Sequence, residues 1–286
     1  MNRHNLNPSL RGLFVFVPKR ITHQACIALG LVLACGFTLA QSSDTTTMSS
    51  AAVAGQNMQN QLFPQITVPM SYNFNNKLGA NNSTKQAEFG VGFIFPFNVG
   101  DDVQFLLNPF FTYNSNLTDS QVTNQTQPIQ VASFFMKSFS KEWYFGLGPY
   151  VQGPANNANN GSLQTGVGVS GGGFYTPEHW SIGVIAYNSW GIGNNMTGGS
   201  ANVLSAGPKI SYTTDTAWTY SVSSSIQYNY DSKAATNQIT LSGGQTVKFF
   251  DNHMQWQIGP TYMATATPTS AKGWGGYLGL TLLLSK

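Results

Sequence analysis

The sequence predicts an all-β fold: a closed antiparallel transmembrane β-barrel of about twelve strands, with short periplasmic turns and longer extracellular loops. Three observations predict it. The composition avoids charge without becoming apolar, the first forty residues read as an export leader, and the rest of the chain repeats with a period of two.

Of the 286 residues only 8% are charged, while 13% are aromatic and 30 are Gly. Mean hydropathy is −0.12. Soluble proteins carry about 25% charged residues. A membrane barrel departs from that value because apolar side chains face lipid and neutral polar ones face the lumen. A disordered chain would be poor in aromatics. The formal charge of +3 is misleading, because Arg3, Arg11, Lys19 and Arg20 all fall in the leader. Beyond residue 40 nine Lys, no Arg and ten acidic residues remain, a net charge of −1. Such a chain lacks the basic patch that a nucleic-acid partner requires.

Residues 1–24 are polar and basic, residues 25–40 form an apolar run, and polar Gln41 and Ser42 follow. This is the pattern of a secretory signal, with cleavage expected after Ala40. The run is shorter than the roughly 20 residues of a membrane-spanning helix. Val32-Leu33-Ala34-Cys35 offers lipidation at Cys35 as an alternative to cleavage after Ala40. Cys26 and Cys35 are the only cysteines, so the mature chain is expected to hold no disulfide and no Cys metal site. No cofactor or metal ligand set is expected. Residues 41–60, rich in Ser, Thr, Ala, Asn and Gln, read as a flexible periplasmic tail, with entry into the lumen as a partial plug left open. Residues 61–286 are assigned to the barrel.

The alternation is clearest at residues 218–231. Trp218, Tyr220, Val222, Ile226, Tyr228 and Tyr230 share one face, while Thr219, Ser221, Ser223, Ser225, Gln227 and Asn229 share the other. A strand between lipid and water separates the two sets; a helix would scatter them. Similar segments recur near 61–75, 86–99, 102–116, 127–139, 142–153, 162–175, 179–192, 202–213, 237–249, 253–265 and 274–284. Tight connections fall near residues 100, 140, 177, 214 and 251. Longer polar ones fall at 76–85, 117–126, 154–161, 193–201, 231–236 and 266–273. Alternation of short and long connections puts both ends of the barrel on the periplasmic side.

Trp143, Trp180, Trp218 and Trp256 cluster beside the tight turns, as membrane-interface aromatics do. In the last segment Tyr277, Gly279, Leu282 and Leu284 have the spacing of a C-terminal assembly signal, which names the barrel-assembly machinery as a partner beside outer-membrane lipid. For the lumen, Glu88, Lys209 and Lys248 are the charged candidates, read first as a pair or network that holds the barrel closed and otherwise as a selectivity ring, and Lys137 has the apolar phase. Asn108, Gln152, Gln227, Asn229 and Gln257 would form a neutral polar wall that Tyr144, Tyr150 and Tyr187 are placed to narrow. A ring of charges in a pore selects among ions, whereas a neutral polar wall passes weakly charged solutes.

Residues 61–116 and 207–286 resemble the MetA-pathway-of-phenol-degradation-like outer-membrane transporters, whose members also carry the mistaken label neuromedin U. The resemblance is carried by Ile66-Thr67-Val68-Pro69, Phe93-Ile94-Phe95-Pro96-Phe97-Asn98, Gly207-Pro208, Ser211-Tyr212-Thr213-Thr214-Asp215-Thr216-Ala217-Trp218-Thr219, Val247-Lys248-Phe249 and Leu282-Leu283-Leu284-Ser285-Lys286. It implies a barrel and a transport role in the cell outer membrane, and supplies no catalytic motif.

The expected function is passive passage or binding of small, weakly charged or apolar solutes. A non-conducting structural or adhesive barrel and an outer-membrane lipid-modifying enzyme are the alternatives. Mature-chain His179 and His253 both sit beside tight turns, and His179-Trp180-Ser181 with Glu178 is the nearest approach to a nucleophile and base. Its position at the rim favours a surface role, so no enzyme is expected.

Overall fold

A computed structural model describes residues 48–78, 83–100, 102–118, 121–153, 165–192, 202–267 and 272–284. The expected signal sequence and the choice between Ala40 and Cys35 lie outside the described residues.

Among the described residues one helix, α1 (Ser50–Gln59), precedes fourteen strands. They are β1 (Ile66–Leu78), β2 (Thr84–Gly92), β3 (Phe95–Asn98), β4 (Val103–Thr118), β5 (Gln121–Thr126), β6 (Gln130–Ser138) and β7 (Trp143–Gln152), then β8 (Gly166–Tyr175), β9 (Trp180–Gly191), β10 (Val203–Thr213), β11 (Trp218–Asn229), β12 (Ala234–Phe249), β13 (Asn252–Thr265) and β14 (Gly273–Leu284). Apart from β2 and β3, and β5 and β6, neighbours in sequence pair antiparallel; β2 and β6 also pair with β4, and β1 pairs with β14 from Ile66↔Leu284 to Asn75↔Gly275. The ring is therefore closed. β3 continues β2 past a break at Phe93, and β5 and β6 both pair with β4 on either side of a break at residues 127–129. Twelve staves result, the number the period-two segments predict.

Closure satisfies the backbone of every stave within the wall, the condition for crossing hydrocarbon. Side chains then sort by phase. Phe89, Phe135, Leu147, Val169, Ile258 and Leu278 point outward and are exposed. On the same strands the inward phase carries Glu88, Phe134, Gly148, Ser170, Gln257 and Gly279. Trp143 stacks on Tyr175 at 4.4 Å, Trp180 meets Tyr212 edge-on at 4.9 Å, and Trp218 meets Trp256 edge-on at 5.7 Å, all on the outside near the tight turns. Trp190 and Trp274, exposed at the other end, mark the second girdle. Lys137 also lies outside, its Nζ 5.9 Å from the Phe139 ring at the rim.

Tight turns join β3 to β4, β6 to β7, β8 to β9, β10 to β11 and β12 to β13 at one end. Left-handed backbone at Glu178 (φ 39°), Ala217 (φ 65°) and Phe250 (φ 53°) makes three of these turns possible. At the other end some strands run past the bounds that the sequence implies. Residues 121–126, expected to be loop, pair with β4 as β5, and residues 234–236 belong to β12.

The largest departure is α1. A segment expected to be a flexible tail is, from Ser50 to Gln59, a helix inside the tight-turn end of the barrel, packed against the six consecutive staves β9 to β14. Its stability comes from tertiary packing, since ten residues do not hold a helix alone. Ser49 caps it, its Oγ accepting from the Ala52 N–H at 3.2 Å and donating to the Asp215 carbonyl at 2.9 Å. The wall opposite α1 is built from Ser181, Ser211, Thr213, Thr219, Gly244 and Thr246, small enough to leave room for a helix.

Candidate functional site: the lumen

Two surfaces hold α1 in place. Ala54 and Met58 pack on Leu283, the one inward Leu of the last turn of β14. On the other flank Gln59 Nε2 donates to Gln255 Oε1, and Gln255 Nε2 donates to both Thr219 Oγ1 and Thr246 Oγ1 at 3.0 Å. Gln56 Nε2 donates to the Trp180 carbonyl at 2.9 Å. Gly55 sits where an added Cβ would come within 2.5 Å of Thr246 Oγ1, so helix and wall are as close as backbone permits.

The chain leaving α1 closes the rest of the mouth. Leu62, fully buried, joins Leu106, Phe134, Met136, Tyr144 and Phe174 in an apolar cluster inside the β4–β9 wall, with Phe63 edge-on to Tyr144 at 5.9 Å. The periplasmic mouth is thus filled by a polar-anchored helix on one side and by an apolar plug on the other.

Above this floor the lumen is open in two connected parts. A lower chamber of about 290 Å³ is lined by Met58, Gln59 and Asn60 from the floor and by Thr67, Asn108 and Tyr150 from the wall, among others. An upper chamber of about 810 Å³ faces the long loops. Gln61, Phe110, Gln130, Tyr187, Lys209, Gln257 and Tyr277 line both chambers and so form the waist between them. Tyr187 is held there by a stack on Tyr150 at 4.8 Å.

The upper wall is chiefly amide and hydroxyl: Ser71, Asn73, Asn75, Gln86, Thr112, Asn114, Gln227 and Gln238 are typical. Its only Asp, Glu, Lys, Arg or His side chains among the described residues are Glu88 and Lys209. Glu88 is on β2 and Lys209 on β10, six staves apart in a ring of twelve and therefore on opposite walls. Asn73 Nδ2 donates to Glu88 at 3.3 Å, and the Asn114 amide, in its hydrogen-bonding orientation, donates to the other carboxylate oxygen at 3.3 Å.

Of the residues singled out from sequence, Glu88, Lys209, Asn108, Gln227 and Gln257 converge on these chambers. Gln152 is buried with the inward phase but lines neither chamber. Asn229 sits at the long-loop rim, where its Oδ1 accepts from the Asp231 and Ser232 N–H groups at 3.0 and 2.9 Å. Lys248 has the inward phase, yet it is exposed at the periplasmic rim beside the tight turn, below α1, and cannot act in the chambers. Tyr277 and Gly279 point inward, Tyr277 into the waist, while Leu282 and Leu284 face out. Gln56, Gln59 and Asn60, on and just after the helix, fall in the segment 41–60 that the sequence assigns to a tail, and Gln61 and Phe110 fall in segments assigned to strands without being singled out for the lumen.

The rim residues do not assemble a nucleophile and base. His179 Nδ1 donates to the Thr213 carbonyl at 2.8 Å, and its Nε2 lies 3.8 Å from Asp215. Ser181 Oγ is buried on the inner side of the wall, among the small residues facing α1.

No family model and no curated protein matches the chain. Among solved structures it is similar to the COG4313 outer membrane channel from Pseudomonas putida F1, at 12% identity and a TM-score of 0.56 over 76% of this chain and 94% of that one. It is also similar to the NanC porin, at 11% identity and a TM-score of 0.50 over 77% of this chain and all of that one. At these identities the likeness is one of fold. A closed antiparallel barrel with an apolar belt between aromatic girdles is the outer-membrane fold, and the chain is an outer-membrane β-barrel.

Proposed function

We propose that the protein is an outer-membrane channel that admits small, hydrophilic, weakly charged solutes from outside, with α1 closing its periplasmic mouth at rest. One observation carries the reading: an 810 Å³ chamber open toward the long loops whose wall is neutral amide and hydroxyl with a single Glu and a single Lys. Such a wall exchanges hydrogen bonds with a solute as water does, so entry costs little desolvation. Apolar solutes, which the sequence alone left open, fit this wall poorly. Passage then requires α1 to leave its seat. That step is feasible because its anchors are a few hydrogen bonds, each of about 1 kcal/mol net, and the small apolar contact of Ala54 and Met58 with Leu283, rather than a continuous apolar face. The fold likeness to a channel and a porin, and the sequence resemblance to MetA-pathway-like transporters, support the same reading. The leader and the Tyr277, Gly279, Leu282 and Leu284 signal fit delivery through the barrel-assembly machinery.

Liposome swelling tests it. Vesicles holding the folded protein should swell faster in sorbitol or small neutral amides than protein-free vesicles, and faster still when Gln56 and Gln59 are both replaced by Ala. Swelling no faster than protein-free vesicles, with the double variant also inert although correctly folded, would reject passage.

A further inference from the structure

The waist of the lumen carries more chemistry than a neutral pore needs. Lys209 faces both chambers, and no carboxylate lies within ion-pair distance of it among the described residues. Gln257, 6% exposed, also faces both chambers, and its Nε2 has no hydrogen-bond partner. On the floor below, Asn60 is 3% exposed, and its Nδ2 is likewise unpartnered. The orientation of that amide is fixed, because Asn60 Oδ1 accepts from the Leu62 N–H at 2.9 Å. An ammonium and two buried, unpartnered N–H donors are therefore carried by residues that line the same confined space, where each unpaired donor is costly. Gln59 Oε1 and Thr67 Oγ1, also buried without partners beside the lower chamber, add an acceptor and a hydroxyl. The opposing charge, Glu88, is on the far wall and already engaged by Asn73 and Asn114.

We infer that the waist is a carboxylate-binding subsite for a small, hydroxylated organic acid. It deepens, and rests on, the reading of the lumen as a chamber for hydrophilic solutes. The carboxylate is received by Lys209 Nζ, with Gln257 Nε2 and Asn60 Nδ2 as the neutral donors, since charge-assisted hydrogen bonds are the strong ones. The hydroxylated body extends upward along the amide wall of the upper chamber, past Gln130 and Gln227. Glu88 repels an anion from its own wall and so directs it to the Lys209 side.

The test compares three six-carbon polyhydroxy probes of similar size and different charge: gluconate (anion), sorbitol (neutral) and glucosamine (cation). Binding to the folded, detergent-solubilised protein at low salt is measured by calorimetry, separately from any transport assay. Gluconate should bind at least about tenfold more tightly than sorbitol. Lys209→Met should abolish that preference and Lys209→Arg should retain it. Gln257→Leu should reduce it, each variant being checked for heat-modifiable migration as proof of folding. Equal affinity for gluconate and sorbitol, tightest binding of glucosamine, or no binding of gluconate would each overturn the subsite. So would a preference that survives Lys209→Met. Should sorbitol still enter the vesicles in the swelling assay, the channel reading would stand without the subsite; failure of swelling alone would leave a binding pocket without passage.

Discussion

Gln255 joins the wall to the plug: it accepts from Gln59 Nε2 and donates to Thr219 and Thr246, all buried. Replacing it with Leu leaves those partners unsatisfied, so Gln255→Leu is expected to cost about 1–3 kcal/mol, read as a lower urea midpoint of vesicle-inserted protein by Trp fluorescence. Glycine matters at single positions for a different reason. At Gly244 an added Cβ would stand 1.8 Å from the carbonyl oxygen of Trp256 on the neighbouring strand. Gly244→Val is expected to abolish the folded, fast-migrating form on an unheated gel, whereas Gly276→Ala, with nothing near it, should leave that form unchanged. At this scale the sequence is informative about phase and poor about depth. Alternation alone assigns Glu88, Lys209, Asn108 and Gln257 to the inside. It assigns Lys248 there too, because phase does not say how near the membrane edge a residue lies.

Among the elements, α1 is the largest that a period of two does not reveal. Its sequence, SAAVAGQNMQ, is weakly amphipathic, and the partners that stabilise it are far away on β9 to β14. The available signal was a Ser cap followed by Ala, Met and Gln with no Pro before Pro64. β5 escaped for a related reason: its polar residues 121–126 gain strand structure by pairing with an overhanging β4, not from their own composition. The close seat of Gly55 gives α1 a specific weakness. A larger side chain collides with Thr246 and Gln255 while the barrel wall stays intact. Gly55→Leu is expected to speed amide hydrogen exchange across residues 50–59 by at least about tenfold, the change that a loss of more than 1.4 kcal/mol in local opening free energy produces. Exchange in β12 and β13 should be nearly unchanged. Unaltered protection of the helix would mean that the packing at Gly55 is looser than the structure shows.

For the whole molecule, closure was the most legible property. The twelve staves, the inward and outward faces and the tight-turn girdle all follow from a period of two, a charge-poor composition and the spacing of turns. What the sequence left open, a filled or an empty lumen, depends on how one short segment meets six staves, which is a long-range packing question. The result is a barrel with a polar chamber toward the outside and a stopper at its periplasmic mouth. On the proposed reading, such a molecule resists ion flow until α1 moves. Single-channel conductance in a planar bilayer, comparing the native protein with Gly55→Leu, tests this most directly. The account predicts rare or brief openings for the native chain and frequent, discrete steps for the variant. Equal, continuous conductance in both would show that α1 does not close the pore, and silence from a folded, inserted Gly55→Leu barrel would show that the lumen is not a path across the membrane.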